Sequence, residues 1–145
     1  MVIDAWKPIR IGGGCTARTT WQKSTVIDFH KEALDKHNMR FHCDCAERAE
    51  GIAWATSRKG IMGYDVARYD VYTTSLVGRP LWNQYHQVQC MLDKLRNQEN
   101  LKQENIDGRM FGCAYARTPE EPEMADNVSQ ALTCVYLKHG YNECT

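Results

Sequence analysis

Val128-Ser-Gln-Ala-Leu-Thr-Cys-Val-Tyr-Leu-Lys-His-Gly-Tyr-Asn-Glu-Cys144 is the stretch on which the fold turns. Val128, Ala131, Leu132 and Val135 recur at three- and four-residue steps, with Met124 one step upstream, and this spacing predicts the buried face of an amphipathic helix. The helix is expected to begin near Thr118 or Glu121. There Pro119 and Pro122 suit the first helical positions, and three glutamates, Glu120, Glu121 and Glu123, lie around the positive end of the helix dipole. The stretch ends in two cysteines, Cys134 and Cys144, with nine residues between them.

Working upstream, a turn at Asp107-Gly108 precedes a short segment, 110–116, that reads as extended. Before the turn, Leu81, Tyr85, Val88, Leu92 and Leu95 repeat at four, three, four and three residues, the seam of a heptad. Trp82 and Met91 widen this stripe, and Pro80 sits at its start, so a helix is predicted from there to about Glu104. The stripe is ordinary core on one reading and an interaction face for a partner helix on the other. Residues 64–77 are ambiguous: their β-branched and aromatic content favours a strand, while Tyr64, Ala67 and Val71 are spaced for a helix.

Two further helices are predicted. Ser24 opens one that runs to His37, with Val26, Phe29, Ala33 and His37 on one face and Asn38 at the exit. Asp44 followed by Glu47 opens the other, Ala49, Ile52, Ala53 and Thr56 form its narrow face, and Gly60 closes it. Residues 1–20 read as an irregular arm containing Pro8 and the glycine run 12–14, which lacks the order of a phosphate loop. The expected fold is therefore mainly α. It is one domain over 1–145, a small helical bundle or set of helical hairpins in a body spanning 24–145, with short strands near 64–77 and 110–116 as the exception.

Composition narrows the function. In 145 residues, 43% hydrophobic and 25% charged content is that of a globular domain with one core. Eighteen basic residues balance eighteen acidic ones, which argues against nucleic acid as a partner because phosphate neutralisation drives that affinity. No apolar run reaches the length of a membrane span, and the first residues lack the layout of a secretory signal.

Seven cysteines are many for a cytosolic chain of this size. The run Cys134-Val-Tyr-Leu-Lys-His-Gly-Tyr-Asn-Glu-Cys144 resembles one half of the coiled-coil-helix (CX9C) proteins of the mitochondrial intermembrane space. That resemblance implies that Cys134 and Cys144 are disulfide-bonded to cysteines on a neighbouring segment, with Cys90 and Cys113 as the upstream candidates. It also implies an accessory subunit of an inner-membrane respiratory complex, oxidised after import and partnered by other protein subunits.

His30, His37, His42, Cys43 and Cys45 gather the side chains that zinc prefers, with His42, Cys43 and Cys45 as the candidate ligands. Cys43 and Cys45 are one residue apart, closer than the gap that wraps a tetrahedral ion, and core-edge or surface histidines explain the cluster more simply. Cys45 at a helix start is the candidate nucleophile of an enzymatic reading, opposed by the neighbouring Asp44 carboxylate. The sequence thus favours a non-enzymatic structural subunit that needs no cofactor and has no assigned catalytic residue. A viral or phage structural or host-interaction protein, in a virion or the cytoplasm, and a small cysteine- or zinc-dependent enzyme using 42–45 are the alternatives.

Overall fold

The computed structural model describes residues 10–11, 15–60, 67–78, 84–98, 101, 106–118 and 128–141, with the backbone alone at 10–11, 15–22 and 84–85. Its elements are β1 (Arg10–Ile11), β2 (Cys15–Thr16), α1 (Ala17–Asp28), β3 (Arg40–Phe41), α2 (Cys43–Lys59), β4 (Tyr69–Gly78), α3 (Gln84–Arg96), β5 (Met110–Thr118) and β6 (Val128–Leu137). A π-helical turn, Phe29–Ala33, extends α1.

The mainly α expectation is overturned by a four-stranded mixed sheet of order β3-β5-β6-β4. β5–β6 and β6–β4 are antiparallel, and the two-residue β3 runs parallel to β5. The stretch read as the last helix is the long central strand β6. Its helical spacing misleads because nearly every residue of β6 is buried, so a three- or four-residue subset can be picked from a continuous run. A strand covered on both faces loses the alternation that marks a half-exposed one. The ambiguous segment resolves in the same direction, with Tyr69–Gly78 forming β4. The segment near 110–116 is strand as expected, in the longer form of β5.

Helices cover both faces of the sheet, giving three layers. On one face Phe111, Cys113 and Tyr115 of β5 and Leu132, Cys134 and Tyr136 of β6 join Val26 of α1, Phe29 of the π turn and Val88, Met91, Leu92 and Leu95 of α3. On the other, Ala114, Val135 and Leu137 meet Cys45, Ala49 and Ile52 of α2, and Ala116 and Ala131 meet Ala53. Odd positions of β5 and even positions of β6 thus share a face, as the two-residue strand period requires.

The helix α2 is the element closest to its expected form, ending at Gly60, where φ is 87° and the Gly60 N–H bonds to the Thr56 carbonyl at 2.9 Å. Its narrow face of small residues packs on the sheet and not on a second helix. The first predicted helix is displaced: α1 and its π turn end at Ala33, and Ala33 and His37 are exposed. Asp35 and Asn38 follow with φ of 52° and 61°, a left-handed region that short polar side chains tolerate. This loop is tied to the Asp107-Gly108 turn, where His37 N–H donates to Asp107 Oδ1 at 2.6 Å.

The heptad stripe is core. Val88, Leu92 and Leu95 are buried against the sheet within the chain, so the interaction-face reading fails for them; Tyr85 is described in its backbone only, and Leu81 lies outside the described residues. From the polar side of α3, Lys94 Nζ donates to Ser75 O at 2.8 Å, and Gln98 Nε2, just beyond its end, donates to Thr73 O at 3.2 Å. These bonds cover part of the outer edge of β4, a place where unpaired carbonyls would otherwise invite another strand. At the far end of the sheet the buried Arg109 donates to Leu137 O, Tyr136 O and Asp70 Oδ2 at 2.7, 2.7 and 2.6 Å, joining β4 to β6.

Candidate functional site

The chemically distinctive place lies under α1, where His30 meets the centre of the sheet. The register of β5 on β6 sets Cys113 opposite Cys134, with Cα atoms 4.1 Å apart, and the two form a disulfide. Directly opposed residues project from the same face, so both sulfurs enter the layer between the sheet and α1. Both cysteines are buried.

His30 belongs to the π turn, a local widening of the helix that changes where its side chains point. The imidazole is 1% exposed and lies 4.2 Å from the Phe111 ring, centroid to centroid. Its Nδ1 is 2.6 Å from the Val26 carbonyl, and its Nε2 is 2.6 Å from the Tyr136 hydroxyl. A carbonyl can only accept, so Nδ1 carries the proton and donates it; Nε2 is then the acceptor for the Tyr136 O–H. Every polar atom of this buried pair is satisfied, which is the condition for keeping it in an apolar layer.

Electrostatics agree with a neutral pair. Burial drives the His30 pKa from 6.5 down to about 4, and the smaller opposing effect is the hydrogen bond to Val26. Burial likewise raises the Tyr136 hydroxyl well above its ordinary value, helped by nearby Tyr72 and opposed by Arg109. Neither group carries charge near neutral pH. The ligand-capable atoms of His30, Cys113 and Cys134 all lie within 4.8 Å of one another.

Among the described residues, an acidic and a basic depression flank the core. A groove of about 350 Å³ is lined by Ser24, Asp28, Glu32, Gln89 and Asp93 between α1 and α3. A smaller cleft of about 180 Å³ at the end of the sheet is lined by Arg40, Arg109, Lys138, His139 and Tyr141. The first is acidic and the second basic, a separation that the zero net charge of the chain conceals.

The residues singled out from the sequence scatter. Of the disulfide candidates, Cys113 and Cys134 are bonded to each other, Cys90 is an exposed free thiol, and Cys144 lies outside the described residues. Cys134 sits on a strand and not on a hairpin helix. Cys43 and Cys45 are each disulfide-bonded, so neither offers a thiolate to zinc or to a substrate, and the 42–45 metal and nucleophile readings lose their donors. His42 precedes α2 as its N-cap, without a capping hydrogen bond from its side chain. His37 is at the surface, 2.8 Å from Asp35 Oδ1. The glycine run 12–14 lies outside the described residues.

Sequence reasoning missed His30 as the core partner of the disulfide. The available signal was the pair of largely apolar runs Phe111–Ala116 and Ala131–Leu137, the second interrupted only by Thr133, each of strand length and each holding one central cysteine.

Fold and site together define a three-layer α/β protein with a disulfide across the two central strands of its sheet. Compared with known protein families, curated proteins and solved structures, the chain finds no match.

Proposed function

We propose that this is a disulfide-stabilised, non-enzymatic binding subunit that works in an oxidising compartment. The observation that carries the reading is the disulfide content: Cys113, Cys134, Cys43 and Cys45 are all oxidised. Disulfides persist in exported proteins and in oxidising lumens and are rare where glutathione keeps thiols reduced. The Cys113–Cys134 bridge closes 21 residues of chain, a constraint worth about 3 kcal/mol against the unfolded state.

A protein partner is the second part of the proposal. β4 has one strand neighbour, β6, among the described residues. Beyond the carbonyls that Lys94 and Gln98 cover, Leu76 and Val77 are 38% and 68% exposed. An apolar end on an edge strand is a surface that an extended segment of another subunit would cover. No helix among the described residues is long and apolar enough to cross a membrane. A respiratory complex facing the intermembrane space and an exported assembly are the two placements that fit.

Thiol trapping at the moment of lysis, followed by non-reducing peptide mapping of the protein from its native source, tests the compartment. Cys113 and Cys134 are expected to be blocked from alkylation; finding both alkylated sinks the reading. Sedimentation of the native extract tests the partner: the chain should migrate well above its own 16.7 kDa, and migration at that mass rules out a subunit.

A further inference from the structure

Three ligand atoms for a soft metal ion converge in the core from three separate elements. The imidazole of His30 comes from the π turn, one sulfur from β5 and one from β6, all within 4.8 Å of one another and all buried. In the oxidised protein the sulfurs are bonded to each other and are not thiolates. Reduction converts them to two thiols beside an imidazole, the two-cysteine, one-histidine donor set that holds zinc with a fourth position open.

We infer that His30, Cys113 and Cys134 form a zinc site in the reduced chain, so that the disulfide and the metal are alternative locks on the same pair of strands. Two electrons from a dithiol cleave the sulfur–sulfur bond while the dithiol closes to its own disulfide. Zinc then replaces the two thiol protons, which leave to solvent, and accepts the lone pair of His30 Nε2 as third donor. Nε2 carries that lone pair because Nδ1 donates to the Val26 carbonyl. A backbone carbonyl in that position is how zinc-bound histidines are oriented. The Tyr136 hydroxyl, 2.6 Å from Nε2, is the group that the metal displaces. The opposition of Cys113 and Cys134 keeps both sulfurs on one face of the sheet after the bond opens. The reduced state is one that the chain occupies between synthesis and oxidation.

The test uses the full chain, refolded in a phosphine reductant with zinc added or chelated away. After buffer exchange the wild type should retain one zinc per chain more than C113S/C134S, and zinc should raise the melting temperature of the reduced wild type alone. Equal zinc in the two proteins would mean that one or more of the other five cysteines, Cys15, Cys43, Cys45, Cys90 and Cys144, holds it, and the assignment falls. A reduced wild type that stays unfolded in zinc overturns it as well. Two variants separate ligation from packing. His30→Ala should weaken zinc by at least about tenfold, whereas Tyr136→Phe keeps all three ligands, removes the competing hydroxyl and should bind as tightly or more so. A Tyr136→Phe protein weakened as much as His30→Ala would show that packing alone was at stake.

Discussion

Gly112 of β5 lies directly against Ala46 of α2: a methyl group built on Gly112 would run into the backbone of Ala46 and Cys45. The approach is so close because the small residues of α2 face the small residues of β5 and β6.

Gly112→Ala is therefore expected to destabilise the fold by about 3 kcal/mol or more, since backbone and not a flexible side chain must move. Gly51→Ala is the control. Gly51 is exposed within α2 with open space around it, and alanine there should stabilise by about 0.5–1 kcal/mol through helix propensity. Urea midpoints of the two variants should shift in opposite directions; a shared direction would refute the close approach.

The buried His30 makes stability depend on pH in the oxidised protein. Its folded pKa of about 4 lies below the unfolded value of 6.5, so between those values the unfolded chain holds the extra proton. Stability should fall as the pH drops from about 6.5 and level off, for this group, below about 4, a total on the order of 3 kcal/mol. Denaturation midpoints measured across that window check it. His30→Gln should start lower and show a flatter profile, and an unchanged slope would assign the effect to other groups.

Replacing the disulfide by Cys113→Ala with Cys134→Ala should cost about 3 kcal/mol, chiefly by freeing the unfolded chain. Thermal unfolding without reductant measures it. The same double variant unfolded in reductant should match the reduced wild type in metal-free buffer to within about 1 kcal/mol. A large gap would show that the sulfurs stabilise by packing more than by linkage.

Leu92 is buried between α3 and the sheet, and Leu92→Ala should cost about 2–5 kcal/mol in stability. The sedimentation of the purified protein should not change at temperatures where the variant remains folded, because the stripe is satisfied within the chain. Leu76→Lys with Val77→Lys is the reverse case, with melting close to wild type and loss of the native high-mass species. A drop in melting temperature comparable to that of Leu92→Ala would place those two residues in the core.

Legibility followed how local the determining interaction was. The helix α2 could be read from its small-residue face and its stop at Gly60, though its N-cap is His42 and not Asp44; the turn could be read from Asp107-Gly108, and the buried face of α3 from Val88, Leu92 and Leu95, because left-handed glycine and helical periodicity act over a few residues. The sheet was concealed. In β6 the residues that seemed to form a helical stripe are part of a run buried almost end to end, and only the presence of α1 and α3 on one side and α2 on the other makes it so.

What the sequence determined alone was the turn at Asp107-Gly108, the stop of α2 at Gly60, the amphipathic faces of α2 and α3, and a composition able to build one core; the N-caps expected at Ser24 and Asp44 lie inside α1 and α2 instead. Tertiary structure decided that Cys134 pairs with Cys113, that Cys90 stays free, and that His30 leaves solvent to meet Tyr136. Those outcomes depend on strand register and layer order, contacts between residues up to 106 positions apart, and no local pattern of side chains encodes such distances.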